Sequence, residues 1–318
     1  MRWLLPLLLG LLAACAHAED TPAQPPEKRI ALTFDDAPRA PGAFLSKDER
    51  TRSLIDSLGE AGVEQAAFFV NPGHIKGPED ERRIAAYVAA GHVIADHSAT
   101  HPQLSNTEVA DYLADIDAGE AWLRGREGYR PWFRYPYLDE GRGDEAKRDA
   151  VRAGLAERGL SDGYVTVEAS DWFYEDAARK AVAKGQEIDR DALRDLYVQV
   201  HVDAAEFYDQ LARDVTGRSP AHVMLLHETD LAALFIDDLV AALRAKGWTI
   251  ITADEAYADP FAAYAKTYDT PSAQGTLTEM VAWQAGVPAP RWYGGNDTRL
   301  AQQWIDTRVL HLPPPDAD

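Results

Sequence analysis

About seven short apolar runs, rich in β-branched and aromatic residues, alternate with stretches of helical periodicity, and this alternation constrains the fold more than any other feature. The runs are Ile30 to Phe34, Gln65 to Val70, His92 to Ala95, Pro131 to Tyr135, Gly163 to Ala169, His222 to Leu226 and Trp248 to Thr252. Most are continuous rather than alternating, as in strands covered on both faces, so the pattern predicts a mainly parallel sheet flanked by helices. Ser46 with Glu49 and Ser105 with Glu108 fit capping boxes, and Gly91 and Gly159 fit helix stops. Arg190 to Thr216 reads as a long helical crossover between the fifth and sixth strands. A chain of 318 residues accommodates one large α/β domain with an extension, or two modest domains. From Asp259 onward prolines and scattered tryptophans break the pattern, predicting an irregular C-terminal extension, 259–318, whose aromatics pack on the domain.

The first residues read as an export signal, 1–18, with Arg2 before an apolar stretch from Trp3 to Ala14 that is too short for a confident membrane span. Leu12-Ala13-Ala14-Cys15 resembles a bacterial lipobox, and Ala16-His17-Ala18 offers an ordinary cleavage site instead. The expected location is therefore outside the cytoplasm: a periplasmic or outer-membrane lipoprotein anchored through Cys15, or a soluble periplasmic or secreted protein. Residues 19–27, with three prolines, read as a tether. A net charge of −20 argues against nucleic acid or anionic lipid as the main partner. With a single cysteine, the chain has neither an internal disulfide nor a thiolate metal cluster, so any metal needs nitrogen and oxygen ligands.

In parallel α/β folds functional groups gather at the carboxyl ends of strands. There the sequence places Asp35-Asp36, Asp96 to His101, Arg134 to Tyr137, Asp171-Trp172 and His227. Two adjacent ionised carboxylates repel, so Asp35 and Asp36 need a cation, an arginine or a retained proton. His97 and His101 are spaced as a metal-binding pair, although His-x-x-x-His also arises by chance on surface loops. Pro102 disfavours a helix at His101 and predicts a turn.

These stretches, in order, resemble the motifs of the polysaccharide deacetylase family, the carbohydrate esterases that share the NodB homology domain. Thr33-Phe34-Asp35-Asp36 resembles the first motif, His97-Ser98-Ala99-Thr100-His101 the second and Arg134-Tyr135-Pro136-Tyr137 the third. Asp171-Trp172 resembles the fourth and Leu225-Leu226-His227 the fifth, so the likeness spans roughly residues 28–258. It implies a distorted (β/α) barrel of seven or eight strands. It implies a divalent metal held by Asp36, His97 and His101, most often zinc, with cobalt, nickel or manganese as alternatives. By the same likeness Asp35 is the base, His227 the acid, and the backbone N–H of Tyr137 an oxyanion donor. Arg134 orients Asp35, Asp171 orients His227, and Trp172 and Leu225 shape an acetyl pocket, although buried apolar residues need no such role.

The implied activity is metal-dependent N-deacetylation of a chitooligosaccharide, peptidoglycan or poly-N-acetylglucosamine. Hydrolysis of a non-sugar amide or an O-acetyl ester, and glycan binding without turnover, are the alternatives. Ala37-Pro38 and Glu228 depart from the commonest family pattern, and His74, His92, His201, His222 and His311 match no motif and read as structural or exposed.

Overall fold

A strand whose alternate side chains differ in size can pack on two faces at once, and β1 (Lys28–Ala37) does so at the centre of the sheet. In this computed structural model, which describes residues 27–313, Ile30, Leu32 and Phe34 join Leu54, Leu58, Leu239 and Leu243 in the main core. Ala31 belongs instead to a second cluster with Tyr164, Val223 and Phe261. Thr33 and Asp35 continue the Ala31 face toward the carboxyl end, so strand alternation alone carries Asp35 to the inner side of a curled sheet. The expected export segment with Cys15, and the tether as far as residue 26, lie outside the described residues.

The other strands are β2 (Ala67–Val70), β3 (Val93–Asp96), β4 (Tyr129–Phe133), β5 (Asp139–Arg142), β6 (Ser161–Asp162), β7 (Ala221–His227), β8 (Trp248–Ile250) and β9 (Ala273–Gln274). Seven form one parallel sheet in the order β6-β4-β3-β2-β1-β7, with β8 also paired to the start of β1. Helices cover its outer side, giving the distorted (β/α) barrel. β5 and β9 form a small antiparallel pair apart from it.

One expected strand does not form as such. Gly163 to Ala169 carries no regular ladder; only Ser161–Asp162 pairs with β4, and Val167 makes a single parallel bridge to Met224 of β7. The reason is local: the Val223 amide donates to the Thr166 hydroxyl, and the Thr166 and Val167 amides both converge on the Val223 carbonyl. Side-chain capture of a ladder donor breaks the register. The segment nevertheless links the two edges of the sheet.

The helix Lys47–Glu60 has the expected capping box between Ser46 and Glu49. Ser105 and Glu108 do not form one: Glu108 is the cap residue of Val109–Leu123 without a side-chain bond, and the Ser105 hydroxyl donates to Asp139 at 2.6 Å. A better acceptor at the start of β5 takes the hydroxyl. The 27-residue helix Arg190–Thr216 begins at an Asp189 side-chain cap and ends at Gly217, whose φ of +74° suits the left-handed C-terminal turn. It packs on the helix Leu277–Gln284, with the Tyr208 hydroxyl donating to Glu279 at 3.0 Å.

Candidate active site

Parallel register sets the centre of the site, because Asp35 of β1 is paired with His227 of β7. Past Asp35 the backbone turns, and Asp36 has φ +64°. The adjacent carboxylates therefore meet different partners. Arg134 Nη1 donates to Asp35 Oδ1 at 2.6 Å, whereas Arg39 Nη1 donates to Asp36 Oδ2 at 2.8 Å. Asp36 Oδ1 lies 3.3 Å from His101 Nε2 and 3.6 Å from His97 Nε2.

The turn carrying the two histidines is irregular, as the proline after His101 predicts. It is held by Asn71, whose Nδ2 donates to the His97 and Ser98 carbonyls, and by Asp96 Oδ1, which accepts from the Ser98 amide at 2.8 Å. His97 Nδ1 is 2.8 Å from the Arg134 carbonyl. A carbonyl only accepts, so Nδ1 carries the proton and Nε2 presents its lone pair toward Asp36. Burial holds both imidazoles down at about 4, keeping them neutral at pH 7.

Ligand-atom geometry here fits a cation. One atom each from Asp36, His97 and His101 lies within 4.8 Å of the others, and Asp36 Oδ1 is buried without a hydrogen-bond partner. An orphaned carboxylate oxygen facing a neutral imidazole lone pair is repulsive unless a cation stands between them. Two imidazoles and one carboxylate are a donor set for a divalent ion with open positions. Burial would raise the Asp36 carboxyl, but His227, His97 and Arg39 together hold it below the usual carboxylate range.

Asp35 differs. Burial pushes its carboxyl up to about 6, against the opposing pull of Arg134 and His227. Arg134 is itself buried and fully engaged: Nη1 also donates to Thr33 Oγ1 at 2.8 Å, Nε to the Gly163 carbonyl at 2.7 Å and Nη2 to the Tyr257 hydroxyl at 2.7 Å. Its guanidinium carbon stands 3.8 Å from the centre of the Phe69 ring. The arginine thus ties β1, β4 and the Gly163 segment together beneath the site.

Asp171, at the start of the helix Asp171–Ala183, accepts from the His227 amide at 2.7 Å and lies 2.6 Å from His227 Nδ1. Burial would lower the His227 imidazole, but Asp171 outweighs it and raises it. Nε2 is left as the ring nitrogen available to a ligand.

Asp35, Asp36, Arg39, His97, His101 and His227 line a cavity of about 980 Å³, together with Tyr137, Trp172 and Leu225. Leu225 is buried, whereas Tyr137 is 56% and Trp172 43% exposed. The Tyr137 ring sits 4.6 Å from that of His101. Asp36, Ser98, His101, Tyr137 and Ser170 all have positive φ, a concentration of backbone strain around one cavity.

Several contributors carry no motif in the sequence. Arg39 braces Asp36, Tyr257 braces Arg134, and Glu228 accepts from the Arg39 amide at 2.7 Å and the Tyr87 hydroxyl at 2.8 Å. Glu228, a departure from the family pattern, thus orders the loop that bears Arg39. The cavity is also lined by Glu168 and by residues from Gln274 to Thr298. For the C-terminal residues the signal in the sequence is the scattered tryptophans, of which Trp292 reaches the cavity, and Glu168 has none. His92, His201 and His222 are buried away from this cavity, and His74 and His311 are exposed.

Residues 23–157 match the polysaccharide deacetylase family profile. A peptidoglycan-N-acetylglucosamine deacetylase of Listeria monocytogenes is 25% identical over 258 residues, covering 78% of this chain and 43% of that protein. The chain therefore spans less than half the length of that relative. A chitin deacetylase of Colletotrichum lindemuthianum is 25% identical over 275 residues, covering 79% of this chain and 95% of the other. The solved structure of the chitin deacetylase from that fungus superposes with a TM-score of 0.50 at 20% identity, over 74% of this chain and 89% of that one. The barrel and the ordered strand-end motifs agree with that match, so residues 23–157 are similar to the polysaccharide deacetylase family and the likeness to the two deacetylases extends over more than three quarters of the chain.

Proposed function

We propose that this chain hydrolyses N-acetyl groups on a polysaccharide or oligosaccharide, with zinc bound by Asp36, His97 and His101. The observation that carries the reading is the pairing of Asp35 with His227 across two strands, each gripped by an opposite charge at 2.6 Å, beside a donor set of two neutral imidazoles and one carboxylate. A divalent ion held there supplies Lewis acidity toward an acyl oxygen and acidifies water.

The chain's own residues supply the proton traffic. Asp35 takes a proton from the attacking water, and its contact with Arg134 keeps the carboxylate aimed as it does so. Water oxygen bonds to the acetyl carbon, and the Tyr137 main-chain N–H serves the oxygen of the tetrahedral adduct. The carbon–nitrogen bond then breaks as His227 Nε2 gives its proton to the leaving nitrogen, releasing acetate and an amine. Asp171 stabilises the imidazolium that must exist before that transfer. Trp172 and Leu225 bound the space for the acetyl methyl group. Export, with or without a lipid anchor at Cys15, would bring the site to extracytoplasmic glycan.

The zinc-loaded full chain should release acetate from N-acetylglucosamine oligomers, and chelation should abolish the release. His227→Ala should cut turnover by on the order of 10²–10⁴-fold. Turnover by this variant equal to wild type would remove the acid from the scheme. Activity confined to small non-sugar amides or O-acetyl esters would overturn the substrate class.

A further inference from the structure

The three most exposed large apolar side chains among the described residues are Tyr137, Trp172 and Trp292, and all three line the active-site cavity. Val182, Tyr264 and Leu312, the other exposed ones, do not. Trp292, 43% exposed, belongs to none of the strand-end motifs; it comes from the C-terminal segment. An indole left in water beside a reaction centre is a stacking surface for the apolar face of a pyranose.

The wall that carries it is built rather than draped. Gln274 of β9 pairs with Asp139 of β5, directly after the Tyr137 turn. The Leu277 amide donates to the Val165 carbonyl at 2.7 Å, and Thr278 Oγ1 to the Thr166 carbonyl at 3.0 Å. Asn296 Nδ2 donates to the Glu168 carbonyl at 3.1 Å and to Glu168 Oε2 at 2.5 Å. These bonds fix the wall to the irregular segment that closes the barrel. Acidic side chains outnumber basic ones in the lining: Asp35, Asp36 and Asp297 are set against Arg39 alone among arginines and lysines, while burial pushes the Glu168 and Glu279 carboxyls up to about 7.

We propose that residues 274–297 form a second sugar subsite in which Trp292 stacks on a neutral or ammonium-bearing hexosamine adjoining the reacting unit, and that carboxylate-bearing glycans are disfavoured there. This rests on the glycan deacetylase reading, and it makes the C-terminal segment part of substrate recognition. An isolated N-acetyl sugar reaches the reaction centre without using the wall.

The test compares zinc-loaded wild type, Trp292→Ala and Trp292→Phe on an N-acetylglucosamine tetramer, on the monosaccharide, and on an equal-length oligomer whose alternate sugars carry lactyl carboxylates. Trp292→Ala should raise KM for the tetramer about tenfold or more with kcat little changed, leave the monosaccharide unaffected, and be rescued largely by Trp292→Phe. The carboxylated oligomer should be the poorer substrate of wild type by a similar factor. Tetramer KM unchanged in Trp292→Ala would overturn the stacking subsite, and equal use of the carboxylated oligomer would overturn its charge preference. Calorimetric binding of the tetramer to Asp35→Asn, with and without Trp292→Ala, separates the two readings. Trp292-dependent binding without acetate release from wild type would retain the subsite and remove the deacetylase activity. Acetate release with Trp292-independent binding would do the reverse.

Discussion

Asp35→Asn should lower acetate release by on the order of 10²–10⁴-fold while zinc affinity stays within a few-fold of wild type. Asp36→Ala should instead lose the metal, with turnover falling in parallel. The contrast follows from the partners of two adjacent residues. Asp35 Oδ1 is held by Arg134, whereas Asp36 Oδ1 is the unpartnered oxygen facing both imidazoles. An amide at position 35 keeps the size of the side chain and can still fill the space above Arg134, but it cannot accept the proton. Zinc binding by calorimetry, run beside acetate release, distinguishes the two substitutions. Equal loss of zinc in both variants would show that the carboxylates act as a joint ligand and would leave the scheme without its base.

The second large effect is on stability. Arg134→Met should destabilise the fold by about 3–5 kcal/mol, read from the urea midpoint, because it leaves a buried carboxylate without its counter-charge. Asp35 would then protonate to escape the cost, so activity should fall even in the molecules that fold. Tyr257→Phe, which removes one of the four hydrogen-bond partners of the Arg134 guanidinium, should cost only about 1 kcal/mol. If Arg134→Met unfolded no more readily than Tyr257→Phe, the guanidinium would be a replaceable filler rather than the brace between β1, β4 and the Gly163 segment.

Arg134 also shows where sequence reading reaches its limit. Its place after an apolar run, and the family motif around it, were visible, and so was the need of two adjacent acids for compensation. Its grip on the Gly163 carbonyl was not, because that contact depends on a segment whose apolar composition predicts a strand. There the Thr166 hydroxyl outcompetes a backbone acceptor and the ladder breaks. Ser105 is a similar case: its spacing from Glu108 suits a capping box, yet Asp139, 34 residues away, takes the hydroxyl. Local patterns describe what a residue can do with its neighbours in sequence, and tertiary contacts with stronger acceptors override them.

By itself the chain determined the parallel sheet, through continuous apolar runs that only a doubly covered strand can bury. It also determined the order of the polar strand ends, since period-two alternation puts Asp35 and His227 on the inner face once β1 and β7 pair. The positive φ angles at Asp36, Ser98, His101, Tyr137 and Ser170 were decided only by the tertiary structure, because no residue type among them demands that conformation. So was the recruitment of Gln274 to Thr298 to the cavity wall. A segment without periodicity has no face of its own to read, and its placement follows from the β5–β9 pairing and the Asn296–Glu168 contact made far away in sequence.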